Sequence, residues 1–300
     1  MSKISKYLDI RYDLRALLTI LFPVIKDRWY IACRYRLQMG YWMDLDNPKT
    51  YTEKLQWLKL YNRRPEYTQM VDKYEVKKYI AQTIGEQYVT PTLAVYDNSS
   101  QIQWDQLPQQ FVMKTTNGGG GNNVYICHDK TKIDKAAVSR MMDESMKYDI
   151  YRNFGEWPYK DVKPRILVEK LLESKDGDIR DYKFYCFNGE TKLVLVASNR
   201  FTTHNYDYFD MDFNHLDITS RCGSHASNPI EKPANFELMK KLVSQIAKDM
   251  PHVRVDMYNC DGQIYFGELT FFDSSGYDDL QSEEWNRRLG DWIVLPTKTC

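Results

Sequence analysis

Phe111-Val-Met-Lys-Thr-Thr-Asn-Gly-Gly-Gly-Gly-Asn-Asn-Val-Tyr-Ile-Cys127 is the stretch on which the reading of this chain turns. An apolar run ends at Lys114, four glycines follow (Gly118, Gly119, Gly120 and Gly121), and a second β-prone run begins at Val124. The pattern predicts a strand, a pliant turn and a returning strand. Glycine has no Cβ, so successive backbone N–H groups can turn toward an anion, here with Lys114 beside them. The loop is not a P-loop, because no Gly-Lys-Ser/Thr and no helix follow the glycines. It also lacks the spaced glycines of a dinucleotide fingerprint. Alone, it reads equally well as a merely flexible hairpin tip.

The rest of the chain must decide. It has 300 residues, 43% hydrophobic and 27% charged, which suits one large globular unit or two to three small ones. Basic and acidic residues balance at 41 each, so no overall polycation argues for nucleic acid. The charges are unevenly placed. Residues 1–40 hold eight Lys and Arg against three acids, whereas residues 256–286 hold eight acids and no Lys or Arg. A stretch of carboxylates calls for full solvation or a cation. Six scattered cysteines suggest free thiols rather than a disulfide framework or zinc. No cleavage site follows an apolar core at the start, so no signal peptide is expected. The run from Leu14 to Ile25 is too short to span a bilayer and contains Arg15 and Pro23. It reads as a helix packed on the body or lying on a membrane surface.

Patterning outward from the glycine loop gives an α+β chain with antiparallel strands. Residues 1–65 form a helical, aromatic-rich extension, with Thr52 expected to cap a helix through Leu60. Asp72 is expected to cap a second helix stopped by Gly85. Strands are expected over 88–96 and 165–172, and a helix over 134–146. Asn188-Gly189 joins two β-prone runs into a hairpin, an amphipathic helix covers 236–250, and Asp261-Gly262 joins a last hairpin.

In that last hairpin a three-residue turn sets Asp256 opposite Glu268, whereas a two-residue turn breaks the pairing. Facing carboxylates repel unless a cation intervenes, and oxygen-only ligands suit Mg²⁺. Thr270 faces the same way as Glu268, and Arg254 the same way as Asp256. A guanidinium there suits a phosphate oxygen. The plainer alternative is an exposed hairpin face carrying an Arg–Asp pair.

Lys114 before a glycine loop, Glu169-Lys-Leu-Leu172, Asp181-x-Lys183, Arg254-x-Asp256 and Glu268-x-Thr270 resemble, in order, the parts of ATP-grasp ligases. The phrases Asn47-Pro-Lys-Thr-Tyr-Thr-Glu-Lys-Leu-Gln-Trp57, Asp72-Lys-Tyr74 and Phe266-Gly-Glu-Leu-Thr-Phe-Phe272 are similar to the teichuronopeptide-biosynthesis (TupA-like) branch, over about residues 30–295. The resemblance implies an ATP-grasp fold with ATP between two antiparallel sheets. Its parts would be a helical extension (1–65), an N-terminal subdomain (66–112), a lid with the glycine loop (113–172) and a C-terminal subdomain with the Mg²⁺ site (173–300). It implies Lys114 on the α-phosphate and Asn117, Gly118, Gly119, Gly120 and Gly121 over the outer phosphates. Glu169 and the backbone of Lys170 to Leu172 would read adenine, and Asp181 the ribose. Lys183 and Arg254 would act on the transferred phosphoryl group or substrate, and Asp256, Glu268 and Thr270 would hold Mg²⁺. Many relatives carry Asn where Thr270 stands, which leaves that contact open.

The implied reaction is an ATP- and Mg²⁺-dependent carboxylate–amine ligation through an acyl phosphate. The implied partners are a uronic-acid polysaccharide or polypeptide precursor of the cell surface and an amino acid or amine. The setting would be cytoplasmic, at the inner face of the membrane, with the basic N-terminus as a peripheral contact. Three rivals stand beside it: a glycosyltransferase using Asp210-x-Asp212, a nucleotide-binding scaffold without turnover, and an ATP-grasp kinase with the same donor side. Arg200, His204 and Arg221 are substrate-contact candidates by charge and position alone, and His204, His215 and His225 show no metal spacing.

Overall fold

The computed structural model describes residues 14–119, 124–175, 177–199, 202–219 and 223–298. Gly120, Gly121, Arg200 and Arg221 lie outside the described residues. Two antiparallel sheets carry an α+β fold. The first contains β1 (Thr92–Tyr96), β2 (Phe111–Thr115), β3 (Val124–Cys127) and β4 (Ile166–Glu169), in the order β1-β4-β2-β3. The second contains β5 (Arg180–Phe187), β6 (Glu190–Ser198), β7 (Asn205–Phe209), β8 (His215–Leu216), β9 (His252–Cys260) and β10 (Gln263–Thr270), in the order β10-β9-β5-β6-β7-β8.

The glycine-loop hairpin forms as expected, with Lys114 paired to Val124 across β2 and β3. β1 begins later than position 88, because Glu86–Tyr88 is a 3-10 turn launched by Gly85 at φ +117°. Asn188 and Gly189, both with positive φ, close the β5–β6 hairpin, the geometry an Asn-Gly turn supplies. Two caps differ from expectation. Thr50, not Thr52, caps the helix Tyr51–Tyr61: its hydroxyl accepts from Glu53 N, and the Glu53 carboxylate accepts from Thr50 N at 3.1 Å. Asp72 accepts the N–H groups of Tyr74 and Glu75 in a turn ahead of the helix Val76–Thr83.

The largest core lies behind the six-stranded sheet, where the helix Phe236–Ile246 sets Phe236, Met239, Val243 and Ile246 against β6 and β9. Phe236 stacks on Phe184 with ring centroids 5.8 Å apart. A smaller core forms where Val138 and Met142 of the helix Lys135–Met146 meet Phe111 and Met113 of β2. Residues 14–21 are helical and run into a third cluster around Phe22, Tyr30 and Ile31. No helix of the described residues is long and apolar enough to cross a membrane. The described cysteines 33, 127, 186 and 260 are free.

The N- and C-terminal parts meet where the helix Glu283–Trp292 crosses the start of Tyr51–Tyr61. Gly290 makes this crossing close: a Cβ there would lie 2.3 Å from Lys49 O and 2.7 Å from Thr50 C. Lys54 Nζ fastens the joint by donating to Gly290 O and Ile293 O, each at 2.8 Å. Backbone atoms cannot step aside as a side chain can, so Gly290→Ala should lower stability by about 2 kcal/mol. Urea denaturation reads this as a lower midpoint at unchanged slope; an unchanged midpoint would show that the helices separate freely.

Candidate active site

Strand alternation builds the site. Along β5, Tyr182, Phe184 and Cys186 enter the core, and Asp181, Lys183 and Tyr185 face the cleft. On β9, Val253, Val255 and Met257 go to the core, which sends Arg254 and Asp256 to the same cleft face. Lys183 pairs with Asp256 across β5 and β9. The turn after β9 has two residues, the case expected to break the Asp256–Glu268 pairing. A bulge at Gly267 restores it: Gln263 to Phe266 pair with Cys260 to Met257 in one register, and Glu268 then faces Asp256 in the next. Gly267 suits the bulge because a Cβ there would lie 3.1 Å from Asp256 O and 3.2 Å from the Tyr258 ring.

The cleft between the sheets has two chambers. The first, about 440 Å³, is lined by Lys114, Gly118, Gly119 and Glu169 on one side and by Asp181, Asp256 and Glu268 on the other. The second, about 740 Å³, is lined by Arg254, Thr270, Glu156, Tyr159, Tyr206 and Tyr208, among others. Asp181, Lys183 and Glu268 line both, so the chambers meet at a charged junction.

At that junction Lys183 Nζ donates to both Asp181 and Asp256. Arg254 grips Asp256 through Nε (2.7 Å) and Nη2 (2.8 Å), reaches Glu268 at 3.3 Å, and donates through Nη1 to Asp273. Tyr185 OH donates to the other Asp273 oxygen at 2.8 Å. Lys73 Nζ lies 2.9 Å from Glu268. Burial opposes charge on Glu268, but Lys73, Arg254 and Lys183 outweigh it and hold this carboxyl far below the usual range. Burial raises Asp181, which Lys183 only partly offsets. Burial lowers Lys183, but Asp181 and Asp256 outweigh it and raise this ammonium above its usual range. Asp181 Oδ1 is buried with no hydrogen-bond partner among the described residues.

Lys114, Gly118, Gly119, Glu169, Lys170, Leu172 and Asp181 all line the first chamber. Lys170 N–H donates to Pro91 O at 3.0 Å, so that donor is already engaged. Asn117 stands apart from its expected phosphate role: it is buried, lines neither chamber, and its amide donates to the carbonyls of Met146 and Tyr148. It ties the start of the loop to the end of a helix. Thr270 lines the second chamber and not the first, opposite Arg254. His204 lines the second chamber as well. Asp210 accepts from Asp212 N, Asn214 N and Asn214 Nδ2, so its carboxylate anchors a turn.

Lys73 lines the first chamber, Asp273 the second, and Lys77 pairs with Glu169, although residue order alone pointed to none of the three. Lys73 precedes a helix and Asp273 follows the last strand, where alternation gives no guide. Ser274 and Ser275, with φ +47° and +54°, form the wall of the second chamber beside Asp273. Lys59 holds that strained loop through Ser275 O at 2.7 Å, and Gln56 through Ser275 O and Gly276 O. Full burial draws the Lys59 ammonium down to about 7.

Glu169 sits between Lys77 and Lys114, with Lys114 Nζ at 2.6 Å. Burial opposes its charge, but the two ammonium groups prevail and lower its pKa from the ordinary 4.5. Its stabilising effect is therefore present above pH 4.5 and lost as pH falls through the lower folded value. Glu169→Gln should cost about 3 kcal/mol near pH 7, because two desolvated lysines lose their counter-charge. The gap to wild type should shrink as pH falls below 4.5; a gap that does not change with pH in acid would exclude the ion pairs as its source.

No curated protein matches the chain in sequence. Among solved structures, D-alanine–D-alanine ligase from Bacillus anthracis is 20% identical, with 67% of this chain and 57% of that one covered and a TM-score of 0.40. The Helicobacter pylori enzyme of the same name is 14% identical, with coverages of 81% and 69% and a TM-score of 0.44. D-cycloserine synthetase is 15% identical, with coverages of 76% and 70% and a TM-score of 0.42. The chain thus spans under two thirds of the length of the first of these. A family model described as TupA-like ATPgrasp matches residues 53–294, and the chain belongs to that family.

Proposed function

We propose that this chain is an ATP- and Mg²⁺-dependent carboxylate–amine ligase working through an acyl phosphate. The observation that carries the reading is the junction: a glycine-edged chamber lined by lysines and carboxylates and a larger tyrosine-lined chamber meet at Asp181, Lys183 and Glu268. The first chamber fits a nucleotide. Lys73, Lys114 and Lys183 line it with Gly118 and Gly119, and the unpartnered Asp181 Oδ1 is an acceptor suited to a ribose hydroxyl. Asp256 and Glu268, opposite each other and offering oxygen only, fit Mg²⁺. Lys183, Arg254 and Lys73 now occupy those carboxylates, and a polyphosphate would offer these cations a second set of anionic oxygens. When bound, Mg²⁺ supplies neutralisation of phosphate charge.

In the proposed reaction a substrate carboxylate oxygen, placed in the second chamber, attacks the γ-phosphorus. The bond to the β-phosphate oxygen breaks, ADP leaves, and an acyl phosphate forms. An amine then attacks the acyl carbon, phosphate departs with the bonding pair, and the amine loses its proton to solvent or phosphate. No protein nucleophile is needed. Arg254 and Lys183 orient and neutralise the migrating phosphoryl group. Arg254 lines the second chamber and reaches three carboxylates, so it can follow charge across the junction. The acceptor we propose is a uronic-acid glycan or polypeptide precursor of the cell envelope, amidated by an amino acid or amine; the tyrosine-lined 740 Å³ chamber supports this reading, having room and stacking surface for a sugar. The Asp210 turn gives a glycosyltransferase reading no free carboxylate pair.

We also propose a peripheral membrane contact on the cytoplasmic side, where Leu17, Ile20, Val24 and Trp29 are exposed near Arg15, Lys26 and Arg28. Co-sedimentation with anionic vesicles should weaken in Ile20→Ser/Trp29→Ser, and equal binding by that variant would remove the proposal. For the chemistry, Glu268→Gln should cut acceptor-dependent ADP release by about 100-fold or more with circular dichroism unchanged. In wild type, Mg-ATP should raise the melting temperature and UDP-sugars should not. Full turnover by the variant, or stabilisation by sugar nucleotides alone, would overturn the assignment.

A further inference from the structure

Outside the cleft, β7 alternates in the opposite sense. Tyr206 and Tyr208 line the second chamber, whereas Asp207 and Phe209 point to the other face of the sheet. Asp207 is 3% exposed. β8 pairs His215 with Phe209, which sets its ring on the Asp207 face and one step diagonal to it. The segment after residue 222 then runs beside β7, with Tyr206 N donating to Ser224 O at 2.9 Å and Ala226 N to Asp207 Oδ2 at 3.0 Å. This brings His225 to the same place. Three stretches of chain thus deliver one carboxylate and two imidazoles to one point.

The three groups already lie in contact with one another. His215 Nε2 lies 3.0 Å from Asp207 Oδ1, and His225 Nδ1 lies 3.2 Å from the same oxygen. All three candidate ligand atoms fall within 4.8 Å of one another. A tetrahedral ion bound at about 2.0–2.1 Å separates its ligands by roughly 3.3 Å, so two of these edges are nearly in place. His215 is 45% exposed, which leaves solvent access for a fourth ligand. Among the described residues the two histidines are the ion-pair partners of this buried carboxylate, whose other oxygen accepts from Ala226 N. His225 Nδ1 also lies 3.2 Å from Tyr206 O, while its Nε2 is buried without a partner.

We propose that Asp207, His215 and His225 form a second metal site, for a divalent transition ion of the zinc class. Imidazole nitrogens select such ions over Mg²⁺, which separates this site in chemistry as well as in place from Asp256 and Glu268. Its effect is architectural. The ion ties β7, the two-residue strand β8 and the 223–226 segment together, and so fixes the edge of the sheet that presents Tyr206 and Tyr208 to the second chamber.

The test is equilibrium dialysis of chelator-stripped full-length protein against micromolar Zn²⁺ in excess Mg²⁺, with metal counted by mass spectrometry. Wild type should retain about one equivalent of zinc and melt at a higher temperature with it. His215→Ala and the double variant His215→Ala/His225→Ala should lose both effects. His215 is half exposed on a short edge strand, so His215→Ala should keep its fold and its stabilisation by Mg-ATP, which distinguishes loss of this site from loss of the nucleotide site. Replacing zinc with Co²⁺ should give visible ligand-field bands in wild type and none in the double variant. No zinc retained by wild type, or equal retention by the double variant, overturns the proposal.

Discussion

Lys183 is the post around which the cleft is organised. One ammonium group bonds Asp181 on its own strand and Asp256 on the neighbouring strand, and Arg254 grips the far side of Asp256. Asp181, Asp256, Glu268 and Asp273 thus meet Lys73, Lys183 and Arg254 at one junction, most of them buried. Each is costly to bury alone and tolerable only in company. The charges and the aliphatic face behind them fix the register of β5, β9 and β10 together, because a one-residue slip would turn every charged side chain into the core and every apolar one into the cleft.

That interdependence explains how much of the site is legible in the sequence. Alternation puts Asp181 with Lys183 on one side of β5, and Arg254 with Asp256 on one side of β9, from residue order alone; the pairing of β5 with β9 joins the two pairs. The position of Glu268 is not so simple. Counting from a two-residue turn sets Glu268 on the wrong face, and only an extra residue in β10 restores it. Gly267 is the visible trace of that bulge, but a glycine inside a strand signals a bulge, a bend or a close approach with equal force. The register was therefore open in the sequence, and the backbone closed it.

Lys73, Lys77 and Asp273 were illegible for a different reason. They come from a turn, a helix and a strained loop, and strand periodicity does not extend into such segments. The Asp72-Lys-Tyr74 phrase marks the right place without assigning Lys73 a partner. Likewise, Asn117 carries the residue type a phosphate loop wants, yet its amide is spent on the ends of a neighbouring helix. Composition names the chemistry available, but competition among backbone carbonyls decides who is free to use it.

The two walls of the cleft hold charge in different ways, and the difference bears on how a phosphoryl group would cross. On the nucleotide side, Lys77 and Lys114 flank one carboxylate, Glu169, so two ammonium groups share one counter-charge. On the junction side, Arg254 and Lys183 face Asp181, Asp256, Glu268 and Asp273, and anionic groups outnumber cationic ones even with Lys73 added. A polyphosphate entering the first chamber would find its cations already placed but engaged, and each bond it takes from a carboxylate leaves that carboxylate needing another cation. Donor binding and metal binding are therefore coupled through the same oxygens of Asp256 and Glu268. An ion arriving alone would compete with three fixed cations; an ion arriving with phosphate would meet carboxylates those cations had just released.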